Sequence, residues 1–161
     1  MPATFFLEQI LNGLQFGFML FLIAAGLTLI FGIMDFMNLA HGSIYMIGAY
    51  LMATYITAGG NFFLGIFVAV LVTGLLGMLL ERFLLRHLYE RDHLSQVLAT
   101  FALILIFNEL VRLIWGPQPI LLTPPEVLSR PIKLFSGFEY SAYRLFIIVV
   151  GLVLAVILFW V

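Results

Sequence analysis

Long apolar runs alternate with short polar stretches along this chain, and the lengths of the runs predict membrane-spanning helices. Several runs reach the roughly 20 consecutive apolar residues that a helix needs to cross a bilayer. Polar or proline-rich stretches separate five apolar runs, which cover residues 5–33, 42–58, 62–80, 95–115 and 144–161, the second being shorter. We therefore predict an all-α, polytopic integral membrane protein, with one segment broken or re-entrant near residues 34–42.

The composition of the chain supports this prediction. Of its 161 residues, 64% are hydrophobic and only 9% are charged, whereas about a quarter of a soluble domain is charged. The absence of cysteine excludes disulfides and thiolate metal sites. The first residues, "MPATFFLEQILNG", lack a basic region and a small-residue cleavage site. We therefore expect the first helix to be retained and not removed as a signal peptide.

The positions of the basic residues predict an orientation in the membrane. Residues 81–93 contain three arginines, whereas residues 57–61 contain no basic residue. Basic loops tend to stay in the cytoplasm, so we place 81–93 there and 57–61 outside. Residues 116–143 hold five prolines, which predicts an external loop of extended turns and no helix. If residues 42–58 were re-entrant and did not cross the membrane, the sides assigned to the segments before and after them would no longer alternate in this way.

The last apolar run is still apolar at its final residue. A membrane helix usually ends in polar or basic anchors, and only Trp160 offers an interfacial anchor here. We expect a chain that stops within its fifth hydrophobic segment, the alternative being a C-terminus at the membrane surface.

Small residues recur every four positions along the third run. They are Gly65, Ala69, Thr73 and Gly77. This spacing lets two helix backbones approach closely in a lipid environment. We predict helix packing within one subunit, with an interface between subunits as the alternative.

Two groups of polar residues lie within the apolar runs. Glu8, Asn12 and Gln15 share one face of the first helix, which predicts either contact with a polar interior or a place at the membrane interface. Glu109 and Arg112 lie three residues apart on the fourth helix. They are expected to pair or, for the arginine, to reach the headgroups, with a buried polar cluster as the alternative.

The stretch "DFMNLAHGS", residues 35–43, places polar side chains between the first two runs. Asn38 is predicted to cap the following helix. A helix start exposes unpaired N–H groups and the positive end of the helix dipole. Transporters use such starts to face anionic substrate groups near the middle of the membrane. An ordinary turn at the membrane interface fits the same residues equally well.

The same stretch supplies residue types that catalytic and metal sites use. No second histidine stands at ligand spacing from His41, so no metal site is predicted. Asp35, His41 and Ser43 have the residue types of a hydrolase triad but are crowded into nine residues. No catalytic residue and no enzyme activity are predicted.

Two longer stretches resemble a known transporter family. "GLTLIFGIMDFMNLAHGSIYMIGAY", residues 26–50, resembles the signature of the permease subunits of branched-chain amino acid ABC transporters, of the first permease type and related to urea permeases. "LERFLLRHLYERDHLSQVLATFALILIFNELVRLIWG", residues 80–116, is similar to the family segment in which Glu-Arg opens a basic loop before the next helix.

The resemblance implies a permease in the bacterial inner membrane that imports branched-chain amino acids. It implies a second permease subunit, cytoplasmic ATP-binding subunits and a periplasmic solute-binding protein as partners. ATP would be used by the partner subunits, because this chain has no phosphate-binding loop, and no cofactor is expected here. The implied substrate pathway is lined by Asn38, Ala40, His41, Gly42 and Ser43. Asp35 departs from the family pattern and is given no role.

The family's permeases are longer than this chain, and the segment that docks on the ATP-binding subunit is not matched here. We therefore expect a single transmembrane domain, residues 1–161, that corresponds to the N-terminal part of a longer permease.

Other functions stay open from the sequence. Urea or short amides are alternative substrates, because no residue distinguishes leucine from urea. An ion-coupled carrier would use Asp35, His41 and Glu109 to bind the coupling ion or proton. A third hypothesis is a membrane scaffold that transports nothing. Membrane lipid is an expected partner, whereas nucleic acid is not.

Overall fold

A computed structural model describes residues 2–135 and 138–160. Six α-helices, one short 3-10 helix and two β-strands are found in these residues. The helices are α1 Pro2–Met34, α2 His41–Thr57, α3 Phe62–Phe83, the 3-10 helix Leu85–Leu88, α4 His93–Trp115, α5 Glu126–Ser129 and α6 Ala142–Trp160. The strands are β1 Pro131–Phe135 and β2 Phe138–Ser141.

Four of the described helices are long and apolar enough to cross a membrane. They are α1, α3, α4 and α6. Most of their large apolar side chains point outward; Phe67 is 63% exposed and Leu113 is 74% exposed. Such continuous apolar exposure is typical of helices that face lipid. The prediction of an all-α polytopic membrane protein is confirmed.

The chain divides into two compact units. The larger unit comprises Gly26–Leu122 and contains the end of α1, all of α2, α3 and α4. The smaller unit comprises residues 2–25 together with the described residues from 123 onward. The prediction of a single transmembrane domain stays a prediction.

Within the larger unit, α2 and α4 run in the same direction. The chain just before α2 contacts the start of α4, through a hydrogen bond from the Met37 N–H to Gln96 Oε1 at 3.2 Å. Near the other end of α2, Thr54 Oγ1 accepts a hydrogen bond of 2.6 Å from Trp115 Nε1, at the end of α4. The antiparallel helix α3 packs along α2.

Helix α2 is shorter than its neighbour α4. Its 17 residues extend about 25 Å, whereas the 23 residues of α4 extend about 35 Å. Because the two helices meet at the Trp115 end, the difference of about 10 Å falls at the other end. The non-helical residues 35–40 fill this space. Helix α2 therefore ends level with the last turn of α4. It begins alongside α4, about two turns after the first residue of α4.

In the smaller unit, the beginning of α1 packs against β2 and α6. Tyr140 is 3% exposed, and its hydroxyl donates a hydrogen bond of 3.0 Å to Asn12 Oδ1. Arg144 Nη1 donates to the same oxygen at 2.6 Å. Of the polar face predicted on the first helix, Asn12 therefore binds polar partners on the last helix and strand. Gly151 lies against Phe18, where an added Cβ would come within 2.8 Å of the phenylalanine Cβ.

The predicted proline-rich loop contains more regular structure than expected. One turn of helix, Glu126–Ser129, starts directly after Pro125 and is held by two backbone bonds to the Pro125 carbonyl. Strands β1 and β2 then pair antiparallel. The prediction of no helix in this segment was wrong, because proline is tolerated at the start of a helix. Residues 136 and 137 and Val161 lie outside the described residues.

Candidate functional site

The break consists of the non-helical residues 35–40 between α1 and α2. The chain turns back here at one end of the larger unit. Asp35 adopts a left-handed backbone with φ of 49° immediately after α1, a conformation that is uncommon outside glycine, asparagine and aspartate. Its Oδ2 lies 4.0 Å from Nε2 of His93, the first residue of α4. Residues 35–40 then lead back along α4 to the start of α2.

Gln96 of α4 supports the returning backbone. Its side chain is buried, with 2% of the residue exposed. Gln96 Oε1 accepts a hydrogen bond from the Met37 N–H at 3.2 Å, while its Nε2 donates to the carbonyls of Arg91 and Leu88 at 3.0 and 3.3 Å. One amide group thus pairs the break with the connection that precedes α4.

Thr100 lies one turn further along α4 and is fully buried. Its hydroxyl bonds the Gln96 carbonyl at 2.8 Å and lies 3.4 Å from the Met37 carbonyl. Both polar groups of Met37 therefore face a polar side chain of α4. Non-helical backbone that is shielded from water needs protein cover for its polar groups, and here α4 lies against it.

Aromatic packing holds the same segment from the other side. Phe36 is 2% exposed and meets the ring of Tyr89 edge to face, with centroids 5.1 Å apart. The Tyr89 hydroxyl donates to Glu81 Oε1 at 3.2 Å. Burial, followed by the nearby Glu81 carboxylate, raises the pKa of Tyr89, so its hydroxyl stays protonated and remains a donor.

The five residues of the expected pathway have different exposures. Asn38, Ala40 and Ser43 are buried, with 4%, 1% and 6% of each residue exposed. His41 is half-buried and Gly42 is exposed. Of these five residues, His41 and Gly42 therefore present accessible surface, whereas the other three lie inside the fold.

Asn38 does not cap α2, and that part of the prediction was wrong. The helix begins at His41, its N-cap is Ala40, and no side chain makes the cap hydrogen bond. Asn38 instead folds back locally, because its Oδ1 accepts from the Ala40 N–H at 3.1 Å. The Asn38 side chain thus stabilises the tight turn before the helix. Because its oxygen bonds within this turn, it does not bond the first N–H groups of α2.

The ring of His41 lies against α1. A Cβ added to Gly26 would come within 2.7 Å of His41 Nε2. Gly26 is eight residues, or about 12 Å, before the last residue of α1. This contact places the start of α2 beside the body of α1, about 12 Å from the last residue of α1. It agrees with the start of α2 about two turns along α4. A larger residue at position 26 would displace the histidine.

Some of the small residues predicted to pack on α3 face α2, and others do not. Gly65 and Ala69 are buried, and a Cβ on Gly65 would lie 3.1 Å from the Tyr55 ring. Thr73 contacts Gly48, where an added Cβ would come within 2.9 Å of Thr73 Oγ1. A Cβ on Gly77 would meet no described atom within 4 Å.

The acidic residues expected of an ion-coupled carrier are far apart. Asp35 lies beside His93, at the start of α4. Glu109 lies sixteen residues further along the same helix, about 24 Å away, and its Oε2 is 3.9 Å from Arg112 Nη1. The predicted pair of Glu109 and Arg112 is therefore formed. Within the described residues, no group of three His, Cys, Asp or Glu side chains could hold a metal ion.

Sequence reasoning missed Gln96 and Thr100, although they make the main polar contacts to the break. Both residues are ordinary components of membrane helices, and nothing in their immediate sequence names a distant partner. One signal was available: they are four residues apart, so they share a face of an otherwise apolar helix. Polar side chains in this position usually face the protein interior.

The fold and the break define a multi-pass helical membrane protein whose second helix starts behind a buried, non-helical segment. The profile of a family described as "Branched-chain amino acid transport system / permease component" matches residues 9–161. The chain belongs to this family. The matched residues include the whole larger unit, most of the smaller unit and the entire break.

Individual relatives agree with the family assignment. The high-affinity branched-chain amino acid transport system permease protein LivH of Salmonella typhimurium is 28% identical over 147 residues, which cover 86% of this chain and 47% of that protein. BraD of Pseudomonas aeruginosa, named as a permease of the same kind of system, is 32% identical over 123 residues, 70% of this chain and 40% of the relative. LivH of Escherichia coli K12 is 30% identical over 127 residues, 73% and 41% respectively.

The chain spans about half the length of the curated relatives it matches. No solved structure matches it.

Proposed function

We propose that this chain forms part of the membrane permease of an ABC importer that moves branched-chain amino acids across the bacterial inner membrane. The family match over residues 9–161 carries this proposal. Relatives named as branched-chain amino acid transport permeases support the same substrate class. The chain itself performs no catalysis in this proposal, and ATP is hydrolysed by cytoplasmic partner subunits.

The pathway is proposed to pass the start of α2. A helix N-terminus carries a partial positive charge, which suits the carboxylate of an amino acid. The N–H groups of His41 and Ser43 already bond the Asn38 and Ala40 carbonyls, so the proposed attraction rests on the helix dipole. The half-buried His41 and the exposed Gly42 are the accessible members of the expected set. Asn38, Ala40 and Ser43 are buried, and their proposed role is to hold the turn in place.

The remaining partners follow from the type of importer. A second permease subunit would complete the passage, and a periplasmic solute-binding protein would deliver the amino acid.

Two observations disfavour the ion-coupled carrier. Asp35 and Glu109 lie at opposite ends of α4, and Glu109 faces Arg112 at 3.9 Å. One bound ion cannot bridge acids separated by about 24 Å.

Uptake of labelled leucine in cells that express the protein at its natural length, together with its partner subunits, tests the proposal. Inactivating the ATP-binding subunit is expected to abolish uptake, while dissipating the proton gradient with ATP maintained leaves it unchanged. Uptake that survives loss of the ATP-binding subunit would contradict the proposal. Inhibition by unlabelled urea, but not by valine or isoleucine, would assign the pathway to amides.

Matched glycine variants test the pathway residues. Gly42 and Gly32 are both helical and exposed, and an added Cβ at either position meets no described atom within 4 Å. Gly42→Val is expected to slow uptake about ten-fold, equivalent to raising the barrier by about 1.4 kcal/mol. Gly32→Val should change uptake less than about two-fold at equal expression. Equal effects of the two variants would contradict the proposed pathway.

A further inference from the structure

The connection between α3 and α4 forms a basic pocket of about 590 Å³. Three arginines and a histidine contribute to it, together with one aromatic and one acidic residue. The lining residues are Arg82, Phe83, Arg86, His87, Glu90 and Arg91. The arginines outnumber the single carboxylate, so the pocket favours an anion.

The arginines of this pocket keep their charges available. Within the described residues, no carboxylate lies within ion-pair distance of Arg82, Arg86 or Arg91; the ion pairs found there involve other residues. All three side chains belong to exposed residues. Arg82 stands in the last turn of α3, where it also complements the helix dipole. The other two arginines lie beyond that helix end.

An apolar groove of about 540 Å³ adjoins the basic pocket. The two cavities share Phe83 and His87. The rest of the groove consists of aliphatic side chains and two alanines, namely Leu84, Leu88, Ala99, Ala102, Leu103 and Ile106. From Ala99 to Ile106 it follows α4 for about 10 Å away from the basic residues.

This combination fits an amphiphile. A soluble anion would need the basic pocket alone and would leave the groove unused, whereas an apolar ligand would leave the arginines unused. A phosphate headgroup suits arginine donors, and basic pockets beside membrane helices are established places for anionic headgroups. The exposed Phe83, with 70% of the residue accessible, lines both cavities.

We propose that this pocket and groove form a binding site for one anionic phospholipid. The phosphate is held by Arg82, Arg86 and Arg91, and an acyl chain lies in the groove along α4. The lipid would tie the connection between α3 and α4 to the membrane surface. That connection also carries the Arg91 and Leu88 carbonyls to which Gln96 donates, so the bound lipid would stabilise the support of the break.

Binding of phosphatidylglycerol to the protein in detergent, measured by native mass spectrometry, tests this proposal. The protein is used at its natural length after removal of endogenous lipid. Phosphatidylglycerol is expected to bind at least about ten-fold more tightly than phosphatidylcholine with the same acyl chains. The variant Arg82→Gln/Arg86→Gln should lose that preference, weakening phosphatidylglycerol binding roughly five-fold per arginine.

Two further variants separate the parts of the site. Arg112→Gln removes an exposed arginine near the other end of α4 and should leave phosphatidylglycerol binding unchanged. Ala102→Phe fills the groove while keeping every charge. It should weaken binding of phosphatidylglycerol but leave any protection by inorganic phosphate, measured as a thermal shift, as it was.

Three outcomes would overturn the lipid site. The first is equal affinity for the two lipids. The second is stabilisation by inorganic phosphate as large as that by phosphatidylglycerol and indifferent to Ala102→Phe, which would assign the pocket to a free anion. The third is unchanged lipid binding by Arg82→Gln/Arg86→Gln together with loss of a partner subunit, which would assign the arginines to a protein interface.

Discussion

The two connections that precede α2 and α3 show different ways of starting a helix in this protein. Before α3, the turn at residues 58–61 uses its own residues: Gly59 takes φ of 86°, and Asn61 Oδ1 accepts from the N–H groups of Phe63 and Leu64. Before α2, residues 35–40 rely on Gln96 and Thr100 of α4. A turn at the surface can use water and local caps, whereas a buried turn needs partners from elsewhere in the fold.

The largest expected effect comes from removing the distant support of the break. Gln96→Leu leaves the Met37 N–H without its acceptor and the Arg91 carbonyl without the Gln96 donor, in a buried site, while the Leu88 carbonyl keeps the Arg91 N–H. We expect a loss of about 3 kcal/mol of stability, since each unsatisfied buried group costs roughly 1–3 kcal/mol. Thermal unfolding in detergent measures this loss.

The matched control for this variant is Gln118→Leu. Gln118 is an exposed glutamine that follows α4, and its replacement should shift stability by less than about 0.5 kcal/mol. If both variants unfold at the same temperature as the native protein, the amide of Gln96 does not support the break.

The two asparagines of the two connections give a direct comparison. Each accepts a local backbone hydrogen bond, but Asn38 is 4% exposed whereas Asn61 is exposed. Asn61→Ala should cost about 1 kcal/mol, the usual value for a lost N-cap. Asn38→Ala should cost about 2 kcal/mol, because the Ala40 N–H it leaves unpaired is buried. Chemical unfolding of both variants measures the difference, and a larger loss for Asn61→Ala would contradict the comparison.

A glycine substitution tests how local the turn before α3 is. Gly59→Ala places a side chain on a left-handed backbone and should cost about 1 kcal/mol. Gly32→Ala, in an open helical position of α1, should instead stabilise by about 0.5 kcal/mol because alanine favours the helix. Thermal midpoints of the two variants should therefore move in opposite directions. An unchanged or raised midpoint for Gly59→Ala would mean that the turn tolerates a side chain.

The smallest expected effect is a pH dependence at the start of α4. Asp92 caps this helix, and hydrogen bonds from the Ser95 hydroxyl and backbone N–H lower the pKa of its carboxyl. A folded pKa below the unfolded one adds stability that is complete above about pH 4 and is lost as the pH falls through the folded pKa.

Asp92→Asn keeps a capping oxygen but does not titrate. Its thermal midpoint should therefore fall less than that of the native protein between about pH 5 and pH 3. An identical acid response of the two proteins would show that the Asp92 cap does not contribute to it.

Much of the architecture could be predicted from the sequence. Apolar runs of sufficient length predicted the long helices, and the polar stretch at residues 35–43 predicted a break between the first two. The family resemblance, carried by residues 26–50, is confirmed by the family match. These features are encoded locally, because helix length and hydrophobic content are properties of a continuous segment.

The candidate site was predicted less completely. Its location at residues 38–43 came from the sequence, but the exposure of its members did not. His41 and Gly42 are accessible, while Asn38, Ala40 and Ser43 are buried. Asn38 was assigned to a cap that it does not form. Adjacent residues with similar polarity differ in exposure only once a neighbouring helix covers some of them.

The sequence by itself determined that this chain crosses the membrane several times, where its long helices run, and that the chain is interrupted before α2. Only the tertiary structure decided that α2 begins about two turns along α4, that Gln96 pairs the Met37 N–H, and that Thr100 lies against the Met37 carbonyl. The physical reason is the separation of the partners: Met37 and Gln96 are 59 residues apart. Local patterns predict that a buried backbone group needs a hydrogen bond, but packing selects the residue that makes it.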